Sequence, residues 1–92
     1  MTRRERNALR YARWKKQPCT YLCYGEDGNV IYVGKTGNLK YRIGVHEHLS
    51  TWWKDVVAVR YRNRKTFADA FVLEALWIRK YQPVNNTDGV TR

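Results

Sequence analysis

Acidic side chains are scarce in this sequence: eight Asp and Glu stand against eighteen Lys and Arg, for a net charge of +10 over 92 residues. A surface of that sign points to an anionic polymer as partner. Cysteine is scarce too. Cys19 and Cys23 share one strand-like run, and at ~3.3 Å per residue they stand about 13 Å apart, beyond the ~7 Å reach of a disulfide between Cα atoms. Two free thiols are expected. Together with His46 and His48 they offer zinc-ligand types, but Cys-x3-Cys along a strand does not make a zinc knuckle. No apolar run approaches membrane-span length, and no apolar leader opens the chain, so a cytoplasmic protein without membrane contact is expected.

Apolar residues are not scarce. They make up 43% of the chain, with thirteen aromatics, so the basic charge sits on a folded protein and not on a disordered tail. Ninety-two residues bury one modest core. The first sixteen, MTRRERNALRYARWKK, hold seven Lys or Arg against one Glu, +6 of the total, on good helix formers with a weak apolar stripe. Residues 1–17 are therefore expected to form a basic helix, closed by Pro18, that contacts nucleic acid phosphates. Residues 18–92 are expected to form the folded domain.

That domain opens with CTYLCYGEDGNVIYVGK. Its flanks alternate like strands and its middle holds Asp27-Gly28, a strong hairpin signal. If Tyr24 pairs with Asn29, Tyr21 lies directly opposite Tyr32; if Glu26 pairs with Asn29, the two are diagonal neighbours. Both registers put the phenols on one face. Asn38 then caps a helix over 39 to about 49, with Leu39, Val45 and Leu49 as its apolar positions and Arg42 and His46 on the same side. A third strand is expected from 55 to about 61. Thr66 caps the strongest helix of the chain, which Pro83 ends. Glu74 falls among Phe67, Ala70, Phe71, Trp77, Ile78 and Tyr81 in its apolar stripe. An isolated buried carboxylate costs roughly several kcal/mol unless paired, protonated or bound to a metal. Arg42 and Glu74 are thus two inward ions of opposite sign, either an ordinary ion pair stapling the helices or parts of a site.

Beside a phenol pair and a lysine after a glycine, these are parts suited to phosphodiester hydrolysis. A carboxylate can hold a divalent ion, an arginine can neutralise phosphoryl charge, and a tyrosine beside cations can lose its proton and activate water. A two-metal site needs several clustered carboxylates, and Glu74 is the one that faces inward. In order and spacing, Tyr21, Tyr32-Val33-Gly34-Lys35, Arg42, His46, Glu74 and Pro83-x-x-Asn86 resemble the GIY-YIG nuclease family. The resemblance covers residues 19 to 86. It implies an α+β fold, a small three-stranded antiparallel sheet flanked by helices, here with an additional N-terminal basic helix. It also implies endonuclease activity on DNA with one divalent ion, Mg2+ or Mn2+.

Carried over residue by residue, the resemblance makes Tyr21 and Tyr32 the phenols of the two motifs, one a base and the other a positioner of water or phosphate. Tyr32 is favoured as base because it lies nearer Lys35 along the chain, and a nearby lysine favours phenolate. Gly34 lets the strand end approach substrate, Arg42 contacts the scissile phosphate, Glu74 binds the metal, His46 fills a position of His or Tyr, and Asn86 closes the site. Contacts to nucleic acid are expected from Arg3, Arg4, Arg6, Arg10, Arg13, Lys15 and Lys16, and within the domain from Gly34 and Lys40. The first motif reads Thr20-Tyr21-Leu22 without its usual glycine. Ninety-two residues match the size of the catalytic module alone, so specificity is expected from the basic helix, a protein partner or the shape of the DNA. The alternative is a catalytically inactive or RNA-directed binding module of the same fold. Loss of Tyr32, Arg42 or Glu74 would mark it, and all three are present.

Overall fold

The computed structural model describes residues 17–86. The basic segment 1–16, with its expected helix and its seven cations, lies outside the described residues. Two strands come first, β1 (Cys19–Tyr24) and β2 (Val30–Thr36), then helix α1 (Leu39–Leu49), strand β3 (Ala58–Asn63) and helix α2 (Phe67–Tyr81). The sheet is antiparallel with order β2-β1-β3. This is the expected α+β architecture. Among the described residues no helix is long and apolar enough to cross a membrane.

The hairpin turns through Gly25-Glu26-Asp27-Gly28. The Gly28 amide donates to the Gly25 carbonyl at 3.0 Å and the Gly25 amide to the Asn29 carbonyl at 2.9 Å. Gly28 takes φ +84°, a left-handed conformation that a residue without Cβ adopts at no cost. The Asp27 carboxylate accepts from the Asn29 amide and side chain, stiffening the loop. Cys23 pairs with Tyr32 but Tyr24 with Val30, so Ile31 is the extra residue of a bulge. Neither expected turn pairing occurs, since Asn29 faces Gly25 and Tyr24 pairs with Val30; past the bulge Tyr21 pairs with Gly34, which leaves Tyr21 and Tyr32 diagonal neighbours on one face.

β1 is the central strand and most of the core: Cys19, Thr20, Tyr21, Leu22 and Cys23 are all buried, with Val33 and Ala70. Because strand side chains alternate, its two faces serve different helices. The Thr20 hydroxyl donates to the Ala70 carbonyl of α2 at 2.9 Å, whereas the Tyr21 phenol on the other face reaches α1. Both caps stand where the sequence puts them, with Asn38 accepting from the Tyr41 amide and Thr66 from the Asp69 amide. Gln82, left-handed at φ 46°, ends α2 just before Pro83.

Three expectations are corrected. Residue 55 belongs to a 3-10 turn, Trp53–Asp55, and β3 starts only at Ala58. Leu49, read as an apolar position of α1, is 78% exposed. In α2, Phe67 and Phe71 are more than half exposed while Ala70 is buried. A three-stranded sheet is too narrow to cover a whole apolar stripe, so α2 buries only the line of residues over β1 and β2.

Candidate active site

The two phenols meet as the diagonal register requires. Tyr21 and Tyr32 have ring centroids 6.1 Å apart, tilted by 38°. Gly34, directly across from Tyr21, explains how so large a ring fits in the interior of the hairpin. A Cβ on Gly34 would overlap the Tyr21 ring at Cζ and the phenol oxygen, and would stand 2.8 Å from Cε1. The space a side chain at Gly34 would need is thus taken by the Tyr21 ring.

α1 brings two further groups to the phenols. His46 is 3% exposed, and its Nε2 lies 2.7 Å from the Tyr21 oxygen while its Nδ1 lies 2.8 Å from Ser50 Oγ. Burial lowers the imidazole from its usual 6.5 to about 4, with help from the Arg42 charge, so the ring is neutral at neutral pH. One turn earlier, Arg42 is partly desolvated, yet the Tyr21 and Tyr32 phenols beside it hold its pKa above the usual guanidinium value. Tyr21 is wholly buried, and desolvation holds its pKa far above that of a free phenol, with Tyr32 adding to the rise and Arg42 opposing it. The cation at the phenols is Arg42. Lys35, expected there because it follows Tyr32 closely, sits an odd number of residues away along a strand and so points to the opposite face.

On that opposite face Lys35 Nζ lies 3.0 Å from Glu74 Oε1 of α2 and 5.1 Å from the centroid of the Phe71 ring. Glu74 therefore pairs with Lys35 and not with Arg42, which removes the ordinary ion-pair reading of the two inward ions. The Glu74 side chain is 17% exposed and commits one oxygen to the lysine. Such a carboxylate suits a hard cation that takes one or two protein oxygens and keeps waters and phosphate oxygens for the rest of its shell. Among the described residues no three of His, Cys, Asp and Glu come together in a metal-binding group. The zinc site is thus absent, and Cys19 and Cys23 are buried free thiols, with burial pushing Cys23 up to about 12.

Tyr32 and Lys35 belong to β2, the edge strand, so the phenol half and the carboxylate half of the site flank the same sheet edge. Asn86 closes that edge. Its side-chain amide accepts from the Val33 N–H at 2.7 Å and donates to the Val33 carbonyl at 2.7 Å, as a neighbouring strand would. Asn85 adds a bond to the Ile31 carbonyl at 3.3 Å. Lys40 and His48 are exposed on α1, and the seven N-terminal cations lie outside the described residues.

Sequence reasoning missed three neighbours of this cluster. Trp52 stacks on Tyr32 with centroids 4.6 Å apart and an 18° tilt, and it also lies 4.8 Å from His46. Trp53 lies parallel to His46 at 6.3 Å. Ser50 holds Nδ1. The signal was available in part: Ser50 is four residues after His46, one helical turn on the same face, and the tryptophan pair follows at once.

Residues 17–87 match the UvrC-like GIY-YIG domain. The chain belongs to this GIY-YIG family. Among its relatives, the UvrABC system protein C of Porphyromonas gingivalis (strain ATCC 33277) is 36% identical over 101 aligned positions, covering 99% of this chain, and that of Idiomarina loihiensis is 34% identical over 77, covering 76%. The chain spans 17% and 13% of the length of these two relatives. The GIY-YIG N-terminal endonuclease domain of UvrC from Thermotoga maritima, solved with magnesium as its catalytic divalent cation, shares the fold. Its TM-score is 0.66 at 24% identity, over 90% of this chain and 96% of that one. This GIY-YIG module thus places its motif tyrosines, its helix arginine and its C-terminal glutamate around one strand edge.

Proposed function

We propose that this chain is a divalent-cation-dependent endonuclease module that hydrolyses phosphodiester bonds in DNA. The observation that carries the reading is the division of labour around β2 in a GIY-YIG domain: a phenol pair under one arginine on the α1 face, and a half-buried carboxylate on the α2 face. Tyr32 is the general base. It is partly exposed, whereas Tyr21 is buried and strongly disfavours ionisation. Tyr21 orients its neighbours, Arg42 neutralises charge that builds on the phosphoryl oxygens, and Trp52 fixes the Tyr32 ring by stacking. Glu74 would hold magnesium or manganese, which supplies Lewis-acid stabilisation at the phosphate when bound. Lys35 either stays on Glu74 or turns to the DNA, and Asn86 keeps β2 in place.

DNA is the substrate proposed, since the relatives belong to the UvrABC system and the charge of +10 favours a polyanion. The cations of segment 1–16 add phosphate contacts. A protein partner supplies further specificity. The test is incubation of the chain with supercoiled, branched and single-stranded DNA with Mg2+, with Mn2+ and with EDTA. Metal-dependent nicking that leaves 5′-phosphate and 3′-hydroxyl ends is expected, and Glu74→Gln should abolish it while still binding DNA. Undiminished cutting in EDTA, or a folded Glu74→Gln protein cutting at the wild-type rate, overturns the metal site; tight binding without cutting under every condition favours a binding module.

A further inference from the structure

We infer that Ser50 is a positioning residue that holds His46 in a single tautomer, and through it fixes Tyr21 as a neutral phenol that donates to His46 Nε2. Tyr21 is wholly buried, so no bulk water takes its phenolic hydrogen. Among the described residues the hydrogen-bond partner of its oxygen is His46 Nε2, at 2.7 Å, and the charge beside it is the Arg42 guanidinium. A guanidinium has donors and no acceptor. Buried beside that single nitrogen, the phenol must therefore donate to Nε2, which must be bare. A neutral imidazole with a bare Nε2 carries its proton on Nδ1, and the atom facing Nδ1 is Ser50 Oγ, 2.8 Å away.

Ser50 holds His46 twice. As the C-cap of α1 it also donates its backbone N–H to the His46 carbonyl at 2.9 Å. Removing the hydroxyl leaves that cap intact but takes away the acceptor for Nδ1–H. The ring then gains by moving its proton to Nε2, where it meets a phenol that also bears a hydrogen. Two hydrogens then meet across the 2.7 Å contact, so the phenol loses its acceptor and is pushed off its position. An outer partner of a functional histidine acts in this way at metal sites, where its loss costs about 10 to 100-fold.

The functional half of the inference rests on the nuclease reading; the tautomer does not. ¹⁵N NMR of the imidazole in the full chain near pH 7 should show Nδ1 protonated and Nε2 bare in the wild type, and mixed or reversed protonation in Ser50→Ala. Ser50→Thr, which keeps a hydroxyl, should restore the wild-type spectrum. In nicking assays Ser50→Ala should lose about tenfold in kcat with unchanged DNA affinity, and Ser50→Thr should recover most of it. A protonated Nε2 in the wild type overturns the assignment whether or not the protein cuts DNA and whether or not any variant folds. Wild-type kcat in Ser50→Ala overturns the positioning role. A wild type that cuts no DNA sinks the nuclease reading while leaving the tautomer measurement to judge Ser50.

Discussion

A methyl group at Gly34 has no room, because the Tyr21 ring occupies that space. Gly34→Ala should therefore destabilise the protein by roughly 1 to 3 kcal/mol through overpacking and displace the phenol from His46. Thermal melts beside the nicking assay should show lower stability and lost cleavage together. His46 supplies a pH signature. Between about 4 and 6.5 the unfolded chain binds a proton that the buried ring refuses, so stability is complete above 6.5 and falls as pH drops toward 4, by on the order of 3 kcal/mol. Unfolding curves from pH 7 to 4.5 should be shallower for His46→Gln than for the wild type; equal slopes would mean the ring is not desolvated. Which residues point inward was legible from periodicity alone, as Arg42, His46 and Glu74 show. Their partners were not. Proximity along the chain suggested that Lys35 serves Tyr32, but the alternation of a strand outweighs nearness in sequence and sends the lysine to Glu74.

The elements themselves were largely readable, since caps at Asn38 and Thr66 and the Asp-Gly turn are local chemistry. The alternation of Val57 and Val59 puts the start of β3 at residue 55, three residues before the strand begins at Ala58. The amides of Asp55 and Val56 close 3-10 bonds to Trp52 and Trp53 instead, and pairing with β1 begins only once that turn has ended. Turn length alone allows two registers of β1 against β2, and the bulge at Ile31 changes the register within the hairpin, though nothing in the side-chain pattern marks one bulged residue. At this scale the sharpest test is Asn86→Ala. It strips both bonds from the buried backbone of Val33, with a cost of roughly 2 to 4 kcal/mol if water does not replace them. Hydrogen exchange should accelerate at the Val33 amide, whereas the central strand β1 stays protected. Exchange unchanged at Val33 would show that Asn86 does not secure β2.

For the molecule as a whole, the charge is divided unevenly: residues 1–16 hold +6 of +10. A chain starting at residue 17 should bind DNA with a flatter salt dependence, losing ~0.9 from the slope of log K against log salt for each phosphate contact removed, with the cleavage position kept. An unchanged slope would show that the segment does not touch DNA. A different property follows from the asparagines after α2. A sheet edge is an invitation to other chains, and this protein meets it differently on its two sides. The β2 edge is plugged by Asn85 and Asn86, whose amides stand where a fourth strand would hydrogen-bond. β3 is the other edge, and there Arg60 and Arg62 are both exposed, so that a second copy laid alongside in antiparallel fashion brings arginines against arginines. One edge is thus closed by geometry and the other by repulsion. The second barrier weakens as salt shortens the screening length, to about 3 Å at 1 M. Strand-to-strand aggregation should accordingly start at β3 and be a high-salt phenomenon, whereas substituting Asn86 would open the β2 side at any ionic strength.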